Sequence, residues 1–232
     1  MQATPRIRAG HWSDKGPVAA LIAEALDTQP VGAWLVPEPS QRRRILADVL
    51  AIWIEHAMFF GDIYLTDDRT AAAVGFHRYR PIPLPANYGI RLPDAAGAHT
   101  DRFCLLDQLL AVQQPSEPHY HLAFLAVAPS AHGTGRGTAL LEHHRSRVDR
   151  IGLPSYATPT EGAGRHYTRY GYTPRRIISL PDGPTIHPMR RNPYPAGTHG
   201  PSTPEMTAHR RCPGGSSEQP NHQPGTDGAL PR

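Results

Sequence analysis

The stretch HLAFLAVAPSAHGTGRGTALL, residues 121–141, limits what this chain can fold into more than any other. An apolar run with strand character at 122–127 breaks at Pro129, passes through Gly133, Gly135 and Gly137, and continues into a helix-like segment holding Leu140 and Leu141. A strand feeding a glycine turn feeding a helix is an anion site. Glycine has no Cβ, so the backbone can approach a ligand, and the first helical amides lack intrahelical partners at the positive end of the dipole. Spacing sorts the ligands. A P-loop needs Gly-Lys-Ser/Thr, whereas Gly135 is followed by Arg136-Gly137-Thr138. A dinucleotide fingerprint needs G-x-G-x-x-G in an early βαβ unit, and this turn is G-x-G-x-G beyond the chain midpoint.

The segment His132-Gly133-Thr134-Gly135-Arg136-Gly137 resembles the acetyl-coenzyme A signature Q/R-x-x-G-x-G/A of the GNAT acetyltransferase superfamily, with histidine where Gln or Arg is usual. Downstream, Tyr167-Thr168-Arg169-Tyr170-Gly171-Tyr172 resembles the family's Y-x-x-x-G-F element. From about 7 to 190 the chain is similar to puromycin N-acetyltransferase-like members. The shared features are Asp67-Asp68 in a hairpin turn, Glu117-Pro118-His119-Tyr120 before the central strand, Leu-Pro-Asp-Gly-Pro at 180–184, and a last strand ending in Met189-Arg190.

The resemblance implies an α/β GNAT fold over residues 1–191, in the order βααββαβαββ. Its mixed, mostly antiparallel sheet would have splayed central parallel strands and flanking helices. It implies an N-acetyltransferase that uses acetyl-CoA as co-substrate, needs no metal, and transfers directly to a primary amine of a small molecule, antibiotic-like by analogy only. Two departures keep a second function open. Where puromycin-type relatives carry Leu-Glu and an asparagine, this chain has Tyr156-Ala157-Thr158 and Ala163. Without those polar groups, an acyl-CoA-binding sensor or regulator that has lost turnover is the alternative.

Composition narrows the setting. No run approaches the roughly 18 apolar residues of a membrane span, and residues 1–10 have no apolar signal core, so a cytoplasmic protein with no membrane partner is expected. The formal charge of +4 comes almost wholly from arginine, Lys15 being the only lysine. Arg42-Arg43-Arg44 reads as a solvated helix start, so no nucleic-acid partner is expected. Cys104 and Cys212 sit in unlike contexts and give no disulfide or metal pattern. From 192 onward the last forty residues hold eight prolines and six glycines with almost no branched aliphatics, which reads as a disordered tail. Its histidines at 199, 209 and 222 are too dispersed to bind a metal. A monomer or homodimer is expected.

Periodicity predicts a strand at 6–9, a helix at 17–26 capped by Asp14, and a helix at 40–60 capped by Ser40. A hairpin (63–66, 72–79) follows, then a loop at 81–98, a helix at 102–113 and the central strand at 120–128. Beyond it lie a helix at 135–150, a strand at 153–158, a short helix at 163–170, and closing strands at 172–180 and 185–190. Alternation along the central strand puts His119, His121, Ala123 and Leu125 on one face and Tyr120, Leu122 and Phe124 on the other.

For the site, the amides of Gly133, Thr134, Gly135, Arg136, Gly137 and Thr138, with the Thr138 hydroxyl, would grip a pyrophosphate, Arg136 adding charge at the rim. By the resemblance, His132 opens the motif, and Leu125, Ala126 and Val127 offer backbone groups to the pantetheine arm. Tyr167 is the expected general acid, a phenol protonated at pH 7. His121, eleven residues before His132 where related enzymes place a glutamate, is the expected base, with His119 second. Trp34, Trp53 and the 81–98 segment would shape the acceptor pocket.

Overall fold

The computed structural model describes residues 5–159 and 162–194. The tail expected from 192 onward lies outside them beyond Tyr194.

The chain runs β1 (Ile7–Ala9), α1 (Lys15–Asp27), α2 (Pro30–Leu35), α3 (Pro39–Phe60), β2 (Gly61–Thr66), β3 (Ala71–Arg78), α4 (Tyr88–Ala96) and α5 (Thr100–Gln113). It continues through β4 (His119–Val127), α6 (Arg136–Arg150), β5 (Ser155–Ala157), α7 (Gly164–Thr168), β6 (Thr173–Pro174), β7 (Ile178–Ser179), β8 (Thr185–Ile186) and β9 (Met189–Arg191). Seven strands form one sheet in the order β1-β2-β3-β4-β5-β9-β6. Every neighbouring pair in it is antiparallel except β4 and β5.

Each sheet face has its own core. Along β3, Ala72, Val74 and Phe76 join the apolar stripes of α1 and α3, with Val18, Ile22, Leu46, Val49 and Ile54. The alternate Ala71 and Ala73 join Leu140 and Leu141 of α6, together with Leu122, Tyr167, Tyr172 and Met189. A two-residue period on β3 thus meets a helical period on both sides. On the α6 side Asp62 ties three elements together, receiving Tyr120 Oη (3.1 Å), His77 Nε2 (2.6 Å) and Arg147 (2.8 Å).

Several expectations need correction. Asp14 does not cap α1 with its side chain. Its buried carboxylate accepts both Arg8 terminal nitrogens (2.7 and 2.9 Å) and the His11 amide (2.9 Å), so an ion pair displaces the cap. Helix α3 starts at Pro39, and Glu38, not Ser40, is its N-cap, accepting from the Ser40 amide. The 81–98 segment is not all loop. Prolines 81, 83 and 85 precede α4, which buries Leu92 and Ala96, and α5 begins at Thr100. The closing strands are interrupted after Pro174 and at His187-Pro188, so β7 and β8 leave the main sheet as a separate ribbon. The ribbon's turn seats on Trp34, whose Nε1 donates to the Pro181 carbonyl (2.8 Å). A Cβ at Gly183 would sit 2.3 Å from the Trp34 ring.

The most consequential correction lies within β4. Val74 pairs with Phe124 but Gly75 pairs with Leu122, leaving Ala123 as the extra residue of a bulge. Beyond it the faces exchange: Leu125 and Val127 join the α6-side core with Leu122, while Phe124 and Ala126 join the core against α1 and α3. Leu125 is therefore not on the face of His121.

Candidate active site

Parallel pairing between β4 and β5 stops early. Tyr120, His121 and Leu122 pair with Ser155, Tyr156 and Ala157, after which β5 ends while β4 runs on to Val127. On its other edge β4 stays paired with β3 through Ala71↔Val127. The edge of residues 123–127 that faces away from β3 therefore has no strand partner among the described residues. This is the opening that the splayed-strand expectation required, and Leu125, Ala126 and Val127 lie along it.

The opening leads to the glycine turn. Gly133 (φ 74°) and Gly135 (φ 81°) occupy the left-handed region that glycine enters without strain, and an added Cβ at either would meet nothing within 4 Å. Gly137 differs: it lies in the first turn of α6, 3.3 Å from Val127 Cγ2 at its Cβ position, and serves close packing of helix on strand. The Ala139 amide already bonds to the Gly135 carbonyl (2.9 Å), so the amides of Arg136, Gly137 and Thr138 are the unpaired first-turn donors. His132 closes the turn onto the strand, donating from Nε2 to the Val127 carbonyl at 3.0 Å. Thr134 is similarly held, through its hydroxyl on the Ala131 carbonyl.

Arg136 is less available than the sequence implies. Its guanidinium pairs with Asp68 in the β2–β3 turn, Nε donating at 2.9 Å. Asp68 also accepts from Thr66 Oγ1 (2.7 Å) and from the Thr70 amide (3.1 Å) and hydroxyl (2.7 Å). These donors, Arg136 foremost, hold the Asp68 carboxyl well below the usual range. A polar depression of about 370 Å³, bordered by Arg6, Asp67, Asp68, Thr134 and Arg136, lies beside the turn.

Tyr167 is 5 % exposed, in the α6-side core, with its ring edge-on to Tyr172 at 5.3 Å. Burial pushes its phenol well above the ordinary value, and Tyr172 adds to the shift. The two tyrosines differ in commitment. Tyr172 Oη is bonded to Ser155 Oγ (2.7 Å) and His144 Nε2 (3.2 Å), whereas no described residue bonds the Tyr167 hydroxyl. The buried Ser155–His144–Tyr172 group, with Ser155 Oγ 2.8 Å from His144 Nε2, is internally satisfied, and burial pushes His144 down to about 3. Ala157 is fully buried between Leu122 and Met189.

His121 is 7 % exposed and packs near Phe76 (6.5 Å) and Tyr156 (5.4 Å). Burial pushes it down to about 3, aided by the charge of Arg78, so it does not titrate near neutrality as an exposed imidazole would. Its proton is set by Gln114, which sequence reading missed because it lies just beyond α5. Gln114 bridges the two strand histidines, with contacts of 3.1 Å to His121 Nδ1 and 3.3 Å to His119 Nε2. His119 Nδ1 donates to the Glu117 carbonyl at 2.8 Å. As placed, the Gln114 side-chain nitrogen donates to His121 Nδ1 and its oxygen accepts from His119 Nε2, while burial lowers the basicity of His119. His121 Nε2 is buried, and no described residue bonds to it.

The 81–98 segment packs beside Trp53. Tyr88 of α4 donates to Asp107 of α5 (2.5 Å) and receives Trp53 Nε1 (3.2 Å). Trp53 in turn packs edge-on to Phe76. Burial raises Asp107 to about 6.

With this geometry in view, the comparisons agree. The model of the Acetyltransferase (GNAT) family matches residues 29–172. A structure described as histone acetyltransferase HPA2 and related acetyltransferase, from Corynebacterium glutamicum, is 25% identical with a TM-score of 0.64, covering 82% of this chain and 97% of its own. Arylalkylamine N-acetyltransferase 2 from Aedes aegypti shares the fold at 12% identity and a TM-score of 0.54, over 82% and 99% of the two chains. A GCN5-related N-acetyltransferase from Rhodopseudomonas palustris does so at 12% and 0.51, over 83% and 98%. Together with the sheet, the β4–β5 opening and the glycine turn, the family match establishes that the chain belongs to the GNAT family of acetyltransferases.

Proposed function

We propose that the protein is an acetyl-CoA-dependent N-acetyltransferase acting on a primary amine of a small molecule. The observation that carries this reading is the unpaired edge of β4, residues 123–127, leading to the glycine turn and the open first-turn amides of Arg136, Gly137 and Thr138. That path suits an extended amide-bearing arm ending in a pyrophosphate. The bound co-substrate supplies an activated thioester, and the chain supplies grip, orientation and proton transfer.

Leu125, Ala126 and Val127 offer backbone donors and acceptors to the arm, and the first-turn amides of α6 meet the pyrophosphate. Asp68 already neutralises Arg136, so backbone dipoles rather than side-chain charge do the gripping. Tyr167 keeps its proton at neutral pH and delivers it to the departing sulfur, its hydroxyl being uncommitted. With the Gln114 amide turned so that its oxygen receives His121 Nδ1–H, His121 Nε2 is free to take the proton from the attacking nitrogen. Once bonded to the carbonyl carbon that nitrogen is far more acidic than a free ammonium, so a weakly basic imidazole suffices. No covalent enzyme intermediate is needed.

The test is amine-dependent release of free thiol from acetyl-CoA, with the N-acetyl product identified by mass. The reading predicts release with at least one amine of a broad panel. Acetyl-CoA binding without release across that panel would favour the sensor reading instead.

A further inference from the structure

Among the described residues, the sheet face around His121 carries a cation with no counter-ion. Phe76 and Arg78 lie opposite His121 and His119 on adjacent strands, and His121 lies opposite Tyr156, which lies opposite Arg190, so all six share one face. His56 of α3 packs over Phe76 at 5.7 Å. Burial of unsatisfied polar atoms is costly and rare. Eight such side-chain atoms occur among the described residues, and five gather in this region: His56 Nε2, Arg78 Nε, His121 Nε2, Tyr156 Oη and Arg190 Nε. Arg190 pairs with Glu117 at 2.9 Å. Arg78 pairs with no carboxylate among the described residues, although desolvation alone already disfavours its charge. Its other neighbours, His56, His119 and His121, are histidines whose basicity burial lowers, and none carries a negative charge to offset it. A half-buried guanidinium without a partner is unfavourable unless something anionic arrives.

That anion is not the pyrophosphate. Arg78 sits opposite His119, and eight residues of β4 separate His119 from Val127 at the glycine turn, roughly 26 Å of strand. The β4–β5 opening, by contrast, begins next to His121. We propose that Arg78 binds the carboxylate of the acceptor, so that the substrate is a small amine that also bears a carboxylate. Its amine lies towards His121 and its apolar or aromatic body lies against Phe76 and Tyr156. This rests on the acetyltransferase reading of the same site and narrows its substrate class.

The experiment is calorimetric titration of the CoA-saturated protein with L-leucine, L-phenylalanine and L-tryptophan. Each is matched by its carboxamide and its decarboxylated amine, and wild type is compared with Arg78→Met and Arg78→Lys. The expected result is that at least one amino acid binds wild type roughly tenfold or more tightly than its two analogues. Arg78→Met erases the difference, Arg78→Lys keeps part of it, and Arg78→Met melts no lower than wild type because no internal ion pair is lost. The proposal is overturned if none of the three amino acids binds, if carboxamides bind equally well, or if Arg78→Met keeps the preference. A markedly lower melting temperature for Arg78→Met would also overturn it, by revealing an internal partner. The two readings fail separately. Carboxylate binding without thiol release removes the enzyme but keeps this site, whereas acetyl transfer with no preference for carboxylates removes this site but keeps the enzyme.

Discussion

The two ends of β4 solve different problems with different materials. At Val127 the strand passes into the turn that ends at Thr138, one contiguous segment that presents backbone amides. There an added Cβ at Gly133 or Gly135 would meet open space. Around His119 and His121 the surroundings are assembled from α3, the end of β3, the residue after α5, and β5, and they present sealed side chains with unsatisfied atoms. A ligand common to a whole family can be held by backbone geometry that tolerates sequence change. An acceptor particular to one enzyme must be recognised by side chains from segments that vary.

If the glycine-turn end works through open backbone, filling it has the largest effect. Gly135→Glu places a negative side chain where the pyrophosphate would lie and abolishes acetyl-CoA binding by calorimetry. Gly135→Ala separates charge from strain: it costs about 1 kcal/mol of stability for its positive φ but binds within a few-fold of wild type. Equal loss in both variants would mean that backbone strain, not ligand exclusion, governs this end. Next in size, Tyr167→Phe lowers kcat by roughly 10²- to 10⁴-fold while leaving acetyl-CoA affinity and melting temperature unchanged, since the hydroxyl has no described partner to lose. An undiminished kcat would return Tyr167 to a packing role.

The sealed end shows itself in the pH dependence of stability. His121 and His144, held near 3 when folded, protonate near 6.5 when unfolded, so the unfolded chain takes up more protons as the pH falls. Their contribution to stability is intact above about 6.5 and is lost progressively towards pH 3, at roughly 2.7 kcal/mol per pH unit for the pair. Urea unfolding across that range measures the slope, and a flat profile would mean that water reaches both rings. Asp107 works in the opposite sense. Its carboxyl is raised to about 6 from an ordinary value near 4, so it favours the folded state below about 4 and that benefit fades as the pH rises through 6. Asp107→Asn, which still accepts from Tyr88, gains about 1–3 kcal/mol near pH 8 and close to nothing near pH 4. A gain that is the same at both pH values would place the carboxyl in water.

What could be read from the sequence follows the same division. The glycine turn, its helix, and the strand before it are local in sequence, and the spacing of Gly133, Gly135 and Gly137 carries their geometry directly. The positions of the main strands at 63–66, 72–79 and 120–128 followed from apolar runs bounded by turn residues, and the order of elements from the family resemblance. The bulge at Ala123 did not, because an extra residue in a ladder leaves no mark in composition, and it reversed the face of Leu125. Helix α4 was obscured by the prolines around it, including Pro93 within it. Gln114 and Arg78 were invisible for a different reason: their significance arises only when α5 and β3 are brought against β4. His121 was identified by position, but its suppressed basicity is a property of burial that no linear pattern encodes.

The central claim, that the opened edge of β4 and the α6 N-terminus form a coenzyme A site, is tested most directly by calorimetric titration of acetyl-CoA into the wild-type protein and the folded Gly135→Glu variant. The account predicts saturable one-site binding to wild type and none to the variant. Absence of binding to well-folded wild type, or equal binding to both, would contradict it.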